Sequence, residues 1–556
     1  MKLFRLCSAS ALTAVTFVAI APWGIAGGRA QTAPPSNIQP DTTLPSPSQV
    51  TPTAAGTAIT GGTTAGSNLF HSFSEFSVPA GSEVRFVPGN AAIDAIVTRV
   101  TGDFASQIDG TLAVDGNANL FLLNPNGVFF GPGASLDLRG AFVPSTADRI
   151  RFGNLGQFAA DPTAGDNPQL LTVAPSALFF NQLNPAPISN AAVGLSVDPG
   201  QSFLLVGGDI AFEGGRAIAP GGNIGVVALA QPAEVDLVAE GNSLRLEVPD
   251  DFAGAPLTLN AGGGLLTSIP TASGGRIEVR AGDITLSSTA ELRAETFGAV
   301  ASGGIDIRGN SLTLAEGAII STNTFGIGNG GDINVVADRV EIVGSAPVAP
   351  LLGVVLPGFD PNNPDGVDIA PEQLLGSLVD GLFAISLGPG NAGDITLNVG
   401  ELAIQNGATI AATSFLPDFG GAGGNLDLAA TAGATITDGS LLLSGTTGPM
   451  PSGNITIATP QLRVLGSLVT ASTTGSGPGG PIAIAAADRV ELTGGLPVDV
   501  GIPISSGLFT ATVGSGSAGD LAIDTGELVI QAGASATTSS LGAGASGTLT
   551  VNATLT

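Results

Sequence analysis

The 556-residue sequence predicts an all-β protein built as a parallel β-helix, and three observations support this prediction. From residue 274 onward, a pattern of alternating apolar residues recurs with a period near 28 residues. Each period contains three short segments in which apolar and polar residues alternate, as expected for strands with one buried face. Glycines separate these segments, and the repeats lack the 3.6-residue spacing that a helical repeat requires.

The first apolar residue of each period locates the repeats. These anchor residues are Ile277, Ile305, Ile333, Ile395, Leu426, Ile455, Ile482, Leu521 and Leu549. They follow one another at intervals of 28, 28, 62, 31, 29, 27, 39 and 28 residues. The two long intervals are one period plus insertions of about 34 and 11 residues, near 344–390 and 494–507. With three short strands per coil, each coil adds one strand to each of three sheets and rises about 4.8 Å.

Polar residues also recur at fixed places in the period. We expect tracts such as Ser321 to Thr324 to stack on their equivalents in the next coil. Asp332, Asp394 and Asp520 each precede a strand, so corner hydrogen bonds explain them better than a calcium site does. In the first insertion, the Asp/Asn cluster at 360–368 is a second, weaker calcium candidate. The residues from Pro371 to Phe383 predict a short helix there.

The first thirty residues have the pattern of a signal peptide. Lys2 and Arg5 precede an apolar stretch that is too short to span a bilayer, and small residues place the cleavage after Ala30. No later stretch approaches the roughly twenty apolar residues of a membrane helix, so no integral membrane segment is expected. We therefore expect a protein that leaves the cytoplasm and is secreted, either to the extracellular space or to the cell surface.

The charge balance and the cysteine content restrict the function further. The net charge is −28, and an acidic protein lacks the basic surface that nucleic-acid binding requires. Removal of residues 1–30 takes away the single Cys, so no disulfide can stabilise the mature chain. Its stability must then come from a long core and from backbone hydrogen bonds between coils.

Four stretches in the N-terminal third carry the most specific signal. They are HSFSEFSV (71–78), TGDFASQIDGTL (101–112), NLFLLNPNGVFFGPGASLDLRGAFVPSTADRIRFGN (119–154) and LLVGGDIAFEGGRAIAPGG (204–222). Together with the leader and the repeats, they resemble the secretion (TPS) domain of filamentous haemagglutinin-type exoproteins, the passengers of two-partner secretion in Gram-negative bacteria. This resemblance divides the chain into a signal peptide (1–30), a TPS domain (31–240) and a β-helical stalk (241–556).

The most specific element of the resemblance is Asn124-Pro125-Asn126-Gly127. Locally it predicts a tight turn, because Pro125 suits the second position and Asn126 or Gly127 can adopt a positive φ. The family implies a right-handed β-helix that an outer-membrane TpsB-type transporter binds in the periplasm and exports through its barrel. It also implies that the four residues are the transporter-recognition motif. Many members have a second motif, Asn-Pro-Asn-Leu, whose nearest counterpart here is the divergent Asn184 to Pro187, which puts any carried-over role in doubt.

The sequence contains few candidate catalytic or metal-binding residues, and a structural role explains them better. His71 is the one histidine, and without a second His or a mature Cys it suits neither a zinc site nor a Ser-His-Asp triad. The charged run from Asp148 to Arg151 lies inside the TPS-like region, where a structural role is expected. Arg276, Arg280, Arg293 and Arg308 form either a solvated stripe or a contact surface for an acidic partner.

We therefore expect a protein that is not an enzyme and binds no cofactor or metal. The expected function is that of an adhesin or a structural matrix or surface protein, with glycans or proteins of a host or a neighbouring cell as partners. One alternative is a polysaccharide-acting β-helix enzyme, which requires clustered carboxylates. Another is the stem of a contact-dependent toxin that is truncated here, because the sequence ends within a repeat.

Overall fold

The structure, a computed structural model, describes residues 37–345, 380–497 and 505–555, except residues 55, 91, 166, 242 and 269–273. The expected leader with its cleavage after Ala30, the cluster at 360–368 and most of both insertions lie outside the described residues. Among the residues that the structure describes, 54% are in strands and 1% in helices, so the predicted all-β class is confirmed. The helices of the described part are two short 3₁₀ turns, Pro162–Ala164 and Pro168–Leu170.

The strands are numbered in chain order. The first group is β1 Asn37–Pro40, β2 Ser48–Pro52, β3 Thr57–Gly61, β4 Thr63–Ala65, β5 Asn68–Ser77, β6 Glu83–Phe86, β7 Ala95–Val100, β8 Ser106–Ile108, β9 Thr111–Val114, β10 Asn119–Leu123, β11 Val128–Phe130, β12 Ser135–Asp137 and β13 Phe142–Ser145. The second is β14 Arg149–Arg151, β15 Gln157–Ala159, β16 Ala177–Phe180, β17 Ile188–Asn190, β18 Leu195–Ser196, β19 Phe203–Gly207, β20 Ile210–Glu213, β21 Arg216–Ile218, β22 Asn223–Ala228, β23 Ala233–Glu240, β24 Ser243–Glu247, β25 Leu257–Asn260 and β26 Gly264–Leu266. The third is β27 Arg276–Arg280, β28 Asp283–Leu286, β29 Glu291–Arg293, β30 Gly304–Leu314, β31 Ile319–Ser321, β32 Ile333–Val343, β33 Gly381–Phe383, β34 Ile395–Gln405, β35 Thr409–Ser414, β36 Leu426–Thr437, β37 Leu441–Thr446, β38 Ile455–Leu465, β39 Leu468–Thr473, β40 Ile482–Thr493, β41 Gly507–Thr512, β42 Leu521–Gln531, β43 Ser535–Ser540 and β44 Leu549–Leu555.

Parallel pairing between coils confirms the predicted β-helix residue by residue. All nine anchor residues from Ile277 to Leu549 stack directly on one another in the strand register. The same column continues towards the N-terminus through Ile224, Phe203, Phe142, Leu120, Ile96 and Leu69. One solenoid therefore runs through the TPS-like region and the stalk. The predicted boundary between the TPS domain and the stalk falls after Glu240, the last residue of β23. The parallel ladder continues across this boundary, because β22 pairs with β27.

The coils differ in how their three segments are joined. In the first stalk coil they form three separate strands, β27, β28 and β29, as the sequence predicts. In the coils from β30 to β42 the first two segments form one strand of 11 or 12 residues, which bends where the register shifts, as between Val399 and Glu401. The helix predicted up to Phe383 is wrong at its end, because Gly381–Phe383 is strand β33, paired with β31 and β35.

The corners are held by the recurring polar residues. The Asp332 carboxylate accepts the Asp394 N–H at 2.9 Å, and Asp394 in turn accepts the Asn425 N–H at 2.7 Å. Asp520 accepts the Thr548 N–H in the same way, also at 2.7 Å. Buried hydroxyl residues also stack from coil to coil, as Thr296, Thr324, Ser386 and Ser414 do. The structure thus supports the corner role predicted for these aspartates and the stacking predicted for the Thr/Ser tracts.

The N-terminal third has a second core outside the coils. Leu120 and Leu122 point into the β-helix, whereas Phe121 and Leu123 pack outward against a covering layer. That layer is an antiparallel sheet in the order β15-β14-β16-β23-β24, formed by two excursions of the chain from the solenoid. Strands buried on both faces are apolar throughout, which explains the unbroken apolar runs in this part of the sequence.

Candidate functional site

The Asn124–Gly127 segment is a closed turn between β10 and β11. Its backbone is closed by the Gly127 N–H, which donates to the Asn124 carbonyl at 3.1 Å. The Asn124 side chain stabilises the same turn, because its Oδ1 accepts the Asn126 N–H at 3.0 Å. Gly127 has the positive φ, at +115°, and a Cβ there would lie 3.0 Å from the Phe129 ring and 3.2 Å from the Pro187 carbonyl. Of the two residues predicted for the positive φ, the turn therefore uses Gly127.

Both asparagine side chains also bond to the preceding coil. Asn124 is fully buried, and its Nδ2 donates to the Phe104 carbonyl and to Ser106 Oγ, each at 3.0 Å. The exposed Asn126 donates from its Nδ2 to the Gly102 carbonyl at 2.7 Å. The two asparagines thus hold the corner at 102–106 as well as their own turn. Sequence reasoning did not predict these bonds, because the partners are separated by about twenty residues.

The turn lies in a surface that presents two exposed apolar side chains. Phe104, on the corner that the asparagines hold, is 66% exposed, and Leu183, on the corner of the next coil, is 71% exposed. Pro125 is half-buried and Asn126 is exposed, and their coil lies between the coils of Phe104 and Leu183. We call Phe104, Pro125, Asn126 and Leu183 the corner surface. Exposed apolar side chains that form a contiguous patch are typical of contact sites for other proteins.

The divergent second motif lies directly beside the first. Strand β11 pairs in parallel with β17, with Val128 opposite Ile188, so Asn184 occupies the place in its coil that Asn124 occupies in its own. The Val128 N–H donates to the Pro187 carbonyl at 3.2 Å. Asn184 is exposed with φ at +49°, whereas Asn124 is buried. The two segments are therefore structural counterparts with different environments.

A polar cleft of about 350 Å³ opens next to Pro125 and Asn126. Its charged lining residues are Asp103, Asp148, Arg149 and Asp161. Asp148 is held in place by the Asn181 N–H at 2.6 Å and by the Gln182 amide at 2.8 Å. Hydrogen bonds from Thr163 are the main cause that lowers the pKa of Asp161, which keeps this carboxylate charged. The cleft gives the corner surface a polar, predominantly acidic border.

A buried polar network around Arg99 of β7 fixes the first coils, and sequence reasoning did not predict it. The guanidinium of Arg99 donates to Ser72 Oγ at 2.8 Å, to the Ala159 carbonyl at 2.6 Å and to Thr43 Oγ1 at 2.8 Å. Burial alone would raise the pKa of Asp41, but hydrogen bonds from Thr43, Ser72 and Thr101 outweigh it and lower that pKa. The network ties the N-terminal segment and the covering sheet to the first coils.

His71 is a buried structural residue, as predicted. Its ring packs 5.4 Å from that of Phe86 and 6.1 Å from that of Phe73, and its Nδ1 lies 3.0 Å from Ser48 Oγ. Burial lowers its pKa to about 3, so the ring is neutral at physiological pH. A neutral imidazole enclosed by phenylalanines is a packing element.

The charged residues singled out in the sequence are distributed over several faces. Arg276, Arg280 and Arg308 lie on the paired strands β27 and β30, whereas Arg293 lies on β29 in another sheet. Each contacts a carboxylate: Arg280 lies 2.7 Å from Asp306, Arg276 3.3 Å from Glu278 and Arg293 2.6 Å from Glu291, and Arg308 pairs with Asp250. These contacts favour the solvated stripe over a surface that binds an acidic partner.

The run from Asp148 to Arg151 belongs to the covering sheet. Ile150 is buried in the second core, and the Arg151 guanidinium lies 5.2 Å from the centre of the Phe179 ring. Arg151 also pairs with Glu234 and Asp236 on β23. The run therefore has the structural role that the sequence predicts.

Two glutamates in the stalk have perturbed titration. Burial raises the pKa of Glu278 and of Glu295, and arginines beside each of them act in the opposite direction. Within the described ranges, no group of three or more His, Cys, Asp or Glu is placed to hold a metal ion. No helix in the part of the chain that the structure describes is long and apolar enough to cross a membrane.

Comparisons with known proteins bear on this region. Residues 36–286 match the family model of the TPS secretion domain. The crystal structure of the HMW1 secretion domain from Haemophilus influenzae aligns with 92% of this chain and 100% of its own, at 16% identity and a TM-score of 0.49. That of the filamentous hemagglutinin secretion domain aligns with 55% of this chain and 96% of its own, at 15% identity and a TM-score of 0.28. No curated protein matches the chain.

Proposed function

We propose that the chain is a two-partner-secretion exoprotein whose transporter recognises the corner surface, because residues 36–286 match the family model of the TPS secretion domain. The partner is an outer-membrane transporter of the TpsB type, which meets the chain in the periplasm after the leader is cleaved behind Ala30. Asn124, Pro125, Asn126 and Gly127 are the recognition motif in this proposal. The supporting observation is that both asparagine side chains hold the corner that carries the exposed Phe104.

The corner surface has the composition of a small protein-recognition site. Interfaces are commonly organised around a few apolar anchors with a polar border, and ordered anchors cost less conformational entropy on binding. Phe104 and Leu183 supply the anchors, since each projects from a corner of the solenoid. The neighbouring cleft with Asp148 and Asp161 supplies the polar border. We infer that Asn124 and Asn126 act as positioning residues for these anchors.

After export, we propose that the protein works as an adhesin or as a structural matrix or surface protein. The repetitive stalk at 241–556 is suited to this, because a solenoid presents a long surface while each coil depends mainly on its neighbours. Its partners are proteins or glycans of a host or a neighbouring cell. We expect no catalytic activity, because the one histidine of the sequence, His71, is enclosed in the core between phenylalanine rings.

A secretion assay with the matched transporter tests the recognition role. Asn126→Ala removes the bond to the Gly102 carbonyl, and we expect the variant to accumulate in the periplasm and to be lost from the medium. The matched control is Asn425→Ala, which removes another inter-coil asparagine, one that accepts the Asn454 N–H at 2.9 Å in the stalk. This control should be exported normally. Export of Asn126→Ala at the level of the control would contradict the proposal.

A further inference from the structure

One side of the stalk is formed by eight stacked loops that follow the third strand of successive coils. We call them the loop face; they are residues 297–303, 325–331, 387–393, 415–424, 447–453, 474–480, 513–519 and 541–547. Backbone bonds link neighbouring loops, as from the Gly390 N–H to the Gly326 carbonyl at 3.1 Å and from Gly477 to Gly448 at 3.0 Å. A Cβ on Gly390 or Gly477 would overlap the backbone of the preceding loop, so the loops stack closely because these positions are glycine.

Hydroxyl groups fix the shape of several loops. The side chain of Thr324 donates to the Gly328 carbonyl at 2.7 Å, Thr473 to Gly477 at 2.9 Å, and Thr512 to Gly516 at 2.7 Å. In each case the donor lies four residues before the acceptor and directly precedes the loop. The loop face is therefore a regular and preorganised surface along the stalk.

The loop face is nearly free of charge. Seven loops of seven residues and one of ten contain 59 residues, of which Asp418 is the one charged residue. At the 11% average of the whole chain, a segment of this size would contain about six charged residues. In a protein with a net charge of −28, this face is thus strongly depleted of the repulsive charge that other surfaces carry.

Exposed apolar side chains project from the same face. Val300, Ile327, Phe419 and Leu541 are each about two-thirds to three-quarters exposed, at 66%, 68%, 75% and 67%. At the base of the first two loops, the rings of Phe297 and Phe325 stack 4.9 Å apart with an interplanar angle of 7°. Apolar exposure combined with charge depletion is typical of the centre of an interface.

We propose that the loop face is a self-association surface that docks onto a second copy of this chain. Two bodies of equal acidic charge repel each other, so the favoured contact is between faces that carry the least charge. The loops repeat at one-coil intervals, so an antiparallel two-fold arrangement places a loop of one copy opposite a loop of the other along the whole stack. In that arrangement the first loop, with Val300, lies opposite the eighth loop of the partner, with Leu541.

The size of the face determines how strong the association is. Eight coils extend about 38 Å at the coil rise, and a width of roughly 15 Å then gives on the order of 600 Å² per copy. A total of about 1,200 Å² is at the lower limit for specific interfaces. We therefore expect a reversible dimer with a dissociation constant in the micromolar range or weaker, which forms where the exported protein is concentrated.

A glycan is the less favoured occupant of this face. Sugars pack against the flat faces of aromatic rings, and the stacked rings of Phe297 and Phe325 each cover one face of the other, which leaves Phe419 as the exposed ring of the loop face. The sequence contains no Tyr and a single Trp, Trp23, which belongs to the expected leader. The large amphipathic rings that suit sugar recognition are therefore absent from the loop face.

Sedimentation velocity over a concentration series of the full-length secreted protein tests the proposal. We expect a concentration-dependent dimer that tightens when salt is raised from about 50 to 500 mM, because salt screens the repulsion between acidic copies. Ile327→Asp combined with Phe419→Asp should weaken association at least about tenfold. The control Val336→Asp places the same charge on an exposed apolar position of β32 and should leave association unchanged. A wild-type protein that is monomeric at all concentrations, or a control that weakens association equally, would overturn the proposal.

Two further variants test the arrangement of the copies. Asp418 lies in a central loop, so an antiparallel dimer brings both copies of this carboxylate near the two-fold axis, and Asp418→Asn should tighten the dimer severalfold. Under oxidation, a mixture of Val300→Cys and Leu541→Cys proteins should form disulfide-linked heterodimers between the two variants. Crosslinks confined to identical variants, or Asp418→Asn with weaker association, would contradict the antiparallel arrangement.

Discussion

Replacement of Asn124 by alanine provides a detailed test of how the turn is held. The substitution removes the two bonds that Asn124 Nδ2 donates to the corner at 102–106 and the acceptor of the Asn126 N–H. At about 0.5–1.5 kcal/mol for each bond, the loss amounts to about 2–4 kcal/mol, concentrated in two adjacent corners. Because solenoid coils depend mainly on their neighbours, the stalk should keep its stability.

Hydrogen exchange measures this local loss. The Ser106 N–H donates to the Gly127 carbonyl at 3.0 Å, so its protection reports whether the corner stays attached to the turn. A loss of 2 kcal/mol corresponds to exchange about 30-fold faster at Ser106. The reference is Ile455 in the stalk, whose N–H donates to the Pro481 carbonyl at 3.0 Å and should exchange at the wild-type rate. Unchanged exchange at Ser106, or equal acceleration at Ile455, would refute the reasoning.

Three further predictions concern stability. Burial lowers the pKa of His71 to about 3, so between pH 6.5 and 3 the unfolded chain binds a proton at this residue that the folded chain does not. The contribution of neutral His71 to the free energy of unfolding is therefore complete above pH 6.5. It is smaller by about 2 kcal/mol at pH 5. Chemical unfolding at pH 7.5 and 5 should show this loss in the wild type and not in His71→Asn, and equal pH dependence in both would contradict it. Gly514→Ala should destabilise the last coils by about 1–3 kcal/mol, because its Cβ would overlap the backbone of the preceding loop. The control is Gly433→Ala, whose Cβ has room. Hydrogen exchange in these coils measures both variants, and equal effects would argue against close loop stacking. Thr512→Val removes the bond to the Gly516 carbonyl and should cost about 1 kcal/mol in thermal or chemical unfolding, so an unchanged stability would show that the hydroxyl contributes nothing.

The stalk was highly predictable from the sequence because its order is one-dimensional. Each coil pairs with the next, so the spacing of residues such as Ile277 and Ile305 is also their register. The predicted corner role of Asp332 followed for the same reason, since its partner lies at the same position one coil later. The sequence did not show that the first two segments of a coil join into one long strand, because the alternation of apolar and polar residues continues through the bend at Val399.

The N-terminal third was less predictable because its key contacts do not follow the repeat. The covering sheet pairs Ala177 with Asp236, across the returning coils of the solenoid. The bonds from Asn124 and Asn126 to the corner at 102–106 join residues on different coils, and no periodic signal marks Phe104. The sequence marks the turn by its motif, whereas the exposure of Phe104 and Leu183 is visible only in the structure.

Export of a variant with an altered corner surface and an intact fold tests the central claim most directly. Phe104 and Leu183 project into solvent, so the double substitution of both by serine should leave the exchange rates of Ser106 and of the stalk unchanged. We predict that this protein folds like the wild type yet fails to appear in the medium when the matched transporter is present. Export of the folded double variant at the wild-type level would contradict the claim that the transporter binds this surface.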